Sequence, residues 1–181
     1  TKDDTVDGGA GTDKLTMDKA TLGTQFNNVT GIETFAFNAA STVSVDVSKL
    51  SAGVTTVEVD LFDAADAGGS TASFDASTIT NLGSETVVVK HGTRDTGNDT
   101  TGNDGVKLTI TGAADTSADT VNVTMDKIST AAAWKALDQL DVVNYETVNI
   151  NNINSTGGSE LVTLNATSAT SVAITGDSEL T

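Results

Sequence analysis

Gly8-Gly9-Ala10-Gly11-Thr12-Asp13-Lys14-Leu15-Thr16 is the stretch on which the reading of this chain turns. Its order is Gly-Gly-x-Gly-x-Asp-x-apolar-x, with Leu15 in the apolar place. Asp4 and Val6 stand nine residues ahead of Asp13 and Leu15, where a preceding copy would put its own aspartate and apolar residue. Glycines in such a turn accept a left-handed backbone and direct carbonyl oxygens inward. The aspartate adds a carboxylate oxygen, and the three residues after it make a short strand with one side chain pointing into a coil. Oxygen-only ligands of this kind suit Ca²⁺, which takes roughly 6–8 of them. The candidate metal ligands here are Asp4, Asp7, Gly9, Gly11 and Asp13. Gly8–Lys14 is not a phosphate loop, because no Gly-Lys-Ser/Thr occurs.

Outward from that stretch the chain reads as many short strands. Leu15–Met17, Phe35–Phe37, Val43–Val47 and Val57–Leu61 alternate or bury apolar residues, as do Val87–Val89, Val106–Thr111 and Thr120–Thr124. Strands resume over Val142–Ile150, Leu161–Leu164 and Val172–Ile174, and Ala72–Phe74 is a candidate short one. Ala20–Phe26 has weak helical spacing through Leu22 and Phe26. One segment differs in kind. Ala133, Trp134, Leu137 and Leu140 recur at helical spacing behind Ser129-Thr130, which predicts a helix over 129–140 with a hydroxyl cap.

Internal repetition sets the architecture. Thr16-Met17-Asp18-Lys19 recurs as Thr124-Met125-Asp126-Lys127, each after a strand and ahead of a helical segment. That segment leads to Ile32-Glu33-Thr34-Phe35-x-Phe37 in one copy and to Tyr145-Glu146-Thr147-Val148-x-Ile150 in the other. A third Glu-Thr strand, Glu85–Val89, follows Asn81-Leu82 and echoes Asn28-Val29 ahead of Glu33. Units too small to bury an apolar face alone stack into a solenoid. The expected fold is therefore all-β: an irregular right-handed parallel β-helix with one short flanking α-helix, and a β-sandwich as the alternative. Residues 1–16 form the edge of the glycine repeat, 17–105 a first unit and 106–181 a second.

Composition narrows the partners. In 181 residues there are 9 basic and 25 acidic side chains, a formal charge of −16. That sign disfavours nucleic acid and anionic membrane, and suits soluble extracellular proteins and cation binding. The absence of cysteine excludes disulfides and thiolate metal sites. No apolar run is long enough to span a bilayer, and no N-terminal export signal is visible. The chain opens without Met and ends on Glu179-Leu180-Thr181, which reads as a segment of a longer protein whose sheet continues beyond Thr1, Thr181 or both.

The motif at Gly8–Thr16, with the repeated Asn-Val and Glu-Thr strands, resembles the calcium-binding repeats of RTX-motif bacterial surface-layer proteins and large secreted adhesins. The resemblance implies a secreted, cell-surface location, Ca²⁺ as the bound ion, and self-association into a lattice or contact with other surface components. In the RTX roll, calcium lies between turns stacked on the same side. The partner of Gly8–Asp13 is then expected about two nonapeptides away, around Asn27–Ile32, which lacks the pattern.

Two further acidic loops are candidate cation sites. Asp95, Asp99, Asn103 and Asp104 stand among Gly-Asn-Asp triplets, although not at EF-hand spacing. Asp60, Asp63 and Asp66 precede Gly68-Gly69. Enzyme readings are poorly supplied. His91 is the one histidine, which rules out multi-histidine zinc or iron sites, and no nucleophile elbow occurs. Trp134 and Tyr145 are the only large polar aromatics, too few for a sugar-stacking cleft. The sequons at Asn28, Asn122 and Asn165 are expected by chance in a chain this rich in Asn and Thr. The expected function is a non-enzymatic calcium-binding structural segment; the alternatives are an RTX adhesin segment or a β-helix enzyme acting on polysaccharide.

Overall fold

A computed structural model of the chain describes residues 5–18, 28–38, 42–63, 75–94, 106–126, 137–153 and 161–176. Fourteen strands run through them: β1 (Val6–Asp7), β2 (Lys14–Met17), β3 (Val29–Thr30), β4 (Thr34–Asn38), β5 (Ser44–Asp46), β6 (Thr56–Asp63) and β7 (Asp75–Leu82). They continue with β8 (Thr86–Arg94), β9 (Val106–Gly112), β10 (Thr120–Asp126), β11 (Leu137–Val143), β12 (Thr147–Ile153), β13 (Leu161–Ala166) and β14 (Ser171–Gly176).

Successive strands alternate between two sheets. The even-numbered strands form a seven-stranded sheet in the order β14-β12-β10-β8-β6-β4-β2, and β13-β11-β9-β7-β5 form a five-stranded one. β1 and β3 make a separate pair. Every ladder described is parallel. A chain that returns to the same sheet in the same direction after each visit to the other is a two-sided solenoid. This is the expected parallel solenoid, and the parallel ladders set aside the sandwich alternative, which is built from antiparallel sheets.

The repeat is regular in register but not in length. From coil to coil the step is as short as 20 residues (Lys14 to Thr34) and as long as 36 (Thr86 to Asn122). What holds constant is the inward row. Leu15, Phe35, Val57, Val87, Val123, Ile150 and Ile174 are successive partners, as are Met17, Phe37, Val59, Val89 and Met125. Val45, Ile79, Ile110 and Val142 supply a row of the other sheet, and one hydrophobic core joins the two. Because side chains alternate with period 2, a slip of one residue would turn a whole row outward, so burial fixes the register. Loop length is free to vary, since lengthening a loop adds only slowly to its closure cost.

The outward faces carry polar ladders. Asn149 Nδ2 donates to Asn122 Oδ1 at 3.0 Å across neighbouring strands. Lys14 Nζ reaches Glu58 Oε1 at 2.7 Å, and β4 lies between their strands. Ala36, on the outward row between Thr16 and Glu58, is the small residue that leaves room for this crossing. On the other sheet burial pushes the Asp141 carboxyl up, but hydrogen bonds from Lys107, Gln139 and Asn165 outweigh it and hold the pKa below the usual range.

Four expectations need correction. Leu137–Leu140, read as the end of a helix over 129–140, belongs to strand β11. Parallel pairing with β9 and β13 on its two sides satisfies the backbone there and overrides the helical spacing. The remainder of that segment, with Trp134, lies outside the described residues, as do Ala20–Phe26 and Ala72–Phe74. Val142–Ile150 is two strands, not one: Asn144 takes a left-handed backbone at φ 64° and turns the chain from β11 into β12. Val47 leaves the alternation of Val43 and Val45 to open a single 3₁₀ turn, Val47–Lys49, which Asp46 caps by accepting from the Ser48 amide. Strand β7 was not expected, because its inward row places Ser77 where an apolar residue would have marked it. Ser77 is satisfied there, accepting the Val43 amide at 2.9 Å.

Thr16-Met17 and Thr124-Met125, the first two residues of each repeated tetrapeptide, lie in one sheet and run in one direction, with Met17 and Met125 in the same inward row; Lys19 and Lys127 lie outside the described residues. Both large sheets cross the 105/106 boundary without interruption, through β8–β10 and β7–β9 pairing.

Candidate metal centre

The glycine turn sits between β1 and β2, directly against the next coil. Val6 N donates to Asn28 O at 2.9 Å and Gly8 N to Thr30 O at 3.0 Å, which seats the turn on β3. The contact leaves no room for side chains. A Cβ on Gly8 would stand 2.0 Å from Gly31 O, and one on Gly31 would stand 2.9 Å from Gly9 N and 3.2 Å from Asp7 Oδ1. Gly31 also has φ 61°, so glycine is required there twice over. The stacking partner of the turn is thus Thr30–Glu33, which overlaps the window Asn27–Ile32 expected from the sequence and extends one residue past it.

Two carboxylates face this turn in different ways. Asp7 Oδ1 accepts from Gly9 N at 3.1 Å and from Thr30 Oγ1 at 3.3 Å, so it bridges the stacked turns. Asp13 is held by its backbone: its amide donates to Glu33 Oε2 at 2.9 Å, and its carbonyl accepts from Glu33 N at 3.2 Å and Thr34 N at 3.0 Å. Its side-chain Oδ2 is shut off from solvent and has no hydrogen-bond partner. Glu33 O then accepts from Thr55 N and Thr56 N in the coil beyond.

The same corner is built a second time. Asp119 N donates to Glu146 Oε2 at 2.8 Å, Asp119 O accepts from Glu146 N and Thr147 N, and Glu146 O accepts from Thr170 N and Ser171 N. Each glutamate of the repeated Glu-Thr pair therefore clamps the coil before it while its carbonyl receives the coil after it. Sequence reasoning found the pair but not this role, because the partner aspartates lie 20 and 27 residues away. Glu85 departs from the pattern and caps the amide of Gly83 at 2.7 Å.

The two corners differ in one respect. The Asp119 carboxylate closes its own turn, with Oδ1 on Thr116 Oγ1 and Oδ2 on Thr116 N, both at 2.7 Å. Those bonds from Thr116 hold its pKa below the usual range. In the first corner the glycine turn replaces that partner, and Asp13 Oδ2 is left without one.

Of the residues expected to bind metal, Asp7, Gly9, Gly11 and Asp13 lie in this one turn, and Gly11 would place a Cβ 3.9 Å from Asp13 Oδ2. Asp4, Asp95, Asp99, Asn103 and Asp104 lie outside the described residues, as does Asp66. Asp60 stands on the outward face of β6, where Oδ1 is buried without a partner; burial and the neighbouring Glu58 push its pKa up, against the pull of Lys90. Among the described residues no group of three or more His, Cys, Asp or Glu side chains converges as a metal cluster. A cation at the glycine turn would depend on backbone carbonyls together with Asp7 and Asp13, as a hard oxygen site allows. Comparison with family models, curated proteins and solved structures finds no match for this chain.

Proposed function

We propose that this chain is a calcium-stabilised, non-enzymatic structural segment of a secreted bacterial cell-surface protein, of the self-assembling surface-layer kind. The observation that carries the calcium reading is the contrast between the two corners. In a chain that satisfies the Asp119 carboxylate twice, Asp13 Oδ2 is buried beside a turn of glycines with nothing to bond. Buried polar atoms are nearly always satisfied, and an orphan carboxylate oxygen beside a glycine turn calls for an ion or a water. A divalent cation would also relieve repulsion within a chain of charge −16.

The surface-protein reading is supported by the fold. A parallel solenoid offers long outward faces of Thr, Asn and Asp and a core that stacks coil on coil, which is the construction of a spacer or lattice element. Calorimetric titration of chelated protein tests the proposal: heat on adding Ca²⁺, with none on adding Mg²⁺ at equal concentration, supports it. No heat with millimolar Ca²⁺ would remove calcium from the function.

A further inference from the structure

Asp7-Gly8 is, among the described residues, the only Asp-Gly pair. An aspartate followed by glycine is open to cyclisation, because a residue without a Cβ leaves its nitrogen free to approach the preceding carboxyl carbon. Here the fold holds the two groups apart. Asp7 belongs to β1 and pairs with Thr30, and its extended backbone turns the Gly8 nitrogen away from the Asp7 Cγ. The Gly8 amide donates to Thr30 O at 3.0 Å, while Asp7 Oδ1 accepts from Gly9 N at 3.1 Å and Thr30 Oγ1 at 3.3 Å. Bringing that nitrogen to that carbon requires a large rotation about the Asp7 Cα–C bond, which breaks the pairing with β3. Close contact with Gly31 O fixes glycine at position 8, so the residue that seats the turn also makes Asp7 reactive once the turn lifts.

We infer that Asp7 is a modification site gated by this turn: it converts to isoaspartate when β1 leaves β3, and is protected while the two are paired. In the open turn the Gly8 nitrogen attacks Cγ of the protonated Asp7 carboxyl. The N–Cγ bond forms, the Cγ–OH bond breaks, and that hydroxyl leaves with the amide proton as water, giving a five-membered imide. Water then opens the ring. Addition at Cγ restores aspartate. Addition at the Asp7 main-chain carbonyl breaks its bond to Gly8 N and leaves the backbone running through Cγ. The sequence is redox-neutral and needs only water. Its product has one more backbone carbon, in a corner where even a Cβ on Gly8 would stand 2.0 Å from Gly31 O. The isomerised turn therefore does not return to its seat, and a transient opening becomes a permanent mark. The inference goes beyond the function proposed above and does not involve a bound ion.

Gly31→Ala tests the gate from the next coil and leaves the Asp7-Gly8 sequence unchanged. At φ 61°, with its Cβ 2.9 Å from Gly9 N, alanine there should unseat the turn. The full chain is held at neutral pH in chelator, folded or in urea. The tryptic peptide 3–14, cut after Lys2 and Lys14, is then scored for isoaspartate at position 7 by electron-transfer fragmentation. Folded wild type is expected to form it about tenfold or more slowly than the urea-unfolded chain, and folded Gly31→Ala within about threefold of the unfolded rate. Circular dichroism checks that the variant keeps its sheets; if it does not fold, the wild-type comparison decides alone. Equal rates for folded and unfolded wild type, or Gly31→Ala folded and as slow as wild type, overturns the gate. After refolding, chains carrying isoaspartate should exchange the Val6 and Gly8 amide hydrogens as fast as an unfolded chain does. Protection equal to that of unmodified chains overturns the permanence of the mark.

Discussion

Tyr145 is the chain's one tyrosine, and its hydroxyl donates to Leu82 O at 2.8 Å inside the core. Tyr145→Phe removes that bond and a longer one, 3.4 Å, to Gly83 O. Leu82 O keeps a second donor, the Ala113 amide at 2.8 Å, and the Gly83 contact is only part-buried, so the substitution leaves no fully buried orphan acceptor. The expected cost is then the net value of one neutral hydrogen bond, about 1 kcal/mol, and not the larger penalty of an unsatisfied buried group. For a chain of this size that lowers Tm by roughly 2–4 °C at neutral pH. The pH dependence gives a second handle. Burial, with Glu85 and Asp119 nearby, pushes the phenol well above its ordinary value. A folded pKa raised above the unfolded one contributes stability that is fully present below the unfolded value of about 10 and is lost as pH climbs toward the folded one. Wild type should lose stability above that point more steeply than Tyr145→Phe. Thermal unfolding followed by circular dichroism measures both effects, and tyrosinate absorbance reads this residue alone. A Tm drop at neutral pH several times larger, or identical alkaline slopes for the two proteins, would refute the reasoning.

The corner clamps predict a matched pair. Glu33→Ala and Glu146→Ala each strip the acceptor from one aspartate amide, at about 1–2 kcal/mol apiece in chelator, measured by urea unfolding; unequal costs would show that the corners are not equivalent. Asp60→Asn should stabilise at neutral pH. The Asp60 pKa is raised, so its destabilising charge is absent below about pH 4 and grows as pH rises through the folded value. Unfolding curves at the two pH values should therefore converge for wild type and variant at the acid end and separate at neutral pH.

The legible part of the fold was whatever left a row of apolar side chains. Val57, Val59 and Leu61, or Val121 and Val123, mark their strands by period 2 and sit where that period puts them. Strand β7 was hidden because Ser77 occupies a core position through a hydrogen bond to a neighbouring coil, which no local pattern reveals. Leu137 and Leu140, three residues apart and both fully buried, imitate a helix because Leu137 opens the strand while Leu140 and Val142 carry its alternation. The division at Asn144 depends on a left-handed residue that asparagine tolerates and the sequence does not advertise. At the candidate centre the sequence located the turn and the aspartates Asp7 and Asp13. Gly31 and Glu33, which close it from the next coil, are separated from it by a loop whose length carries no information about what it brings together.

The central claim is that calcium completes the turn around Asp13. The measurement that tests it most directly is the thermal shift of wild type against Asp13→Asn, with Ca²⁺ and with Mg²⁺. At a Ca²⁺ concentration about tenfold above Kd, binding to the folded state alone is worth about 1.4 kcal/mol, or a rise in wild-type Tm of roughly 3–6 °C. Asn keeps the size of the side chain and loses its charge, so the account predicts that Asp13→Asn shows at most a small part of that rise, and that Mg²⁺ produces little in either protein. An equal rise in both proteins, or none in wild type at millimolar Ca²⁺, would contradict it.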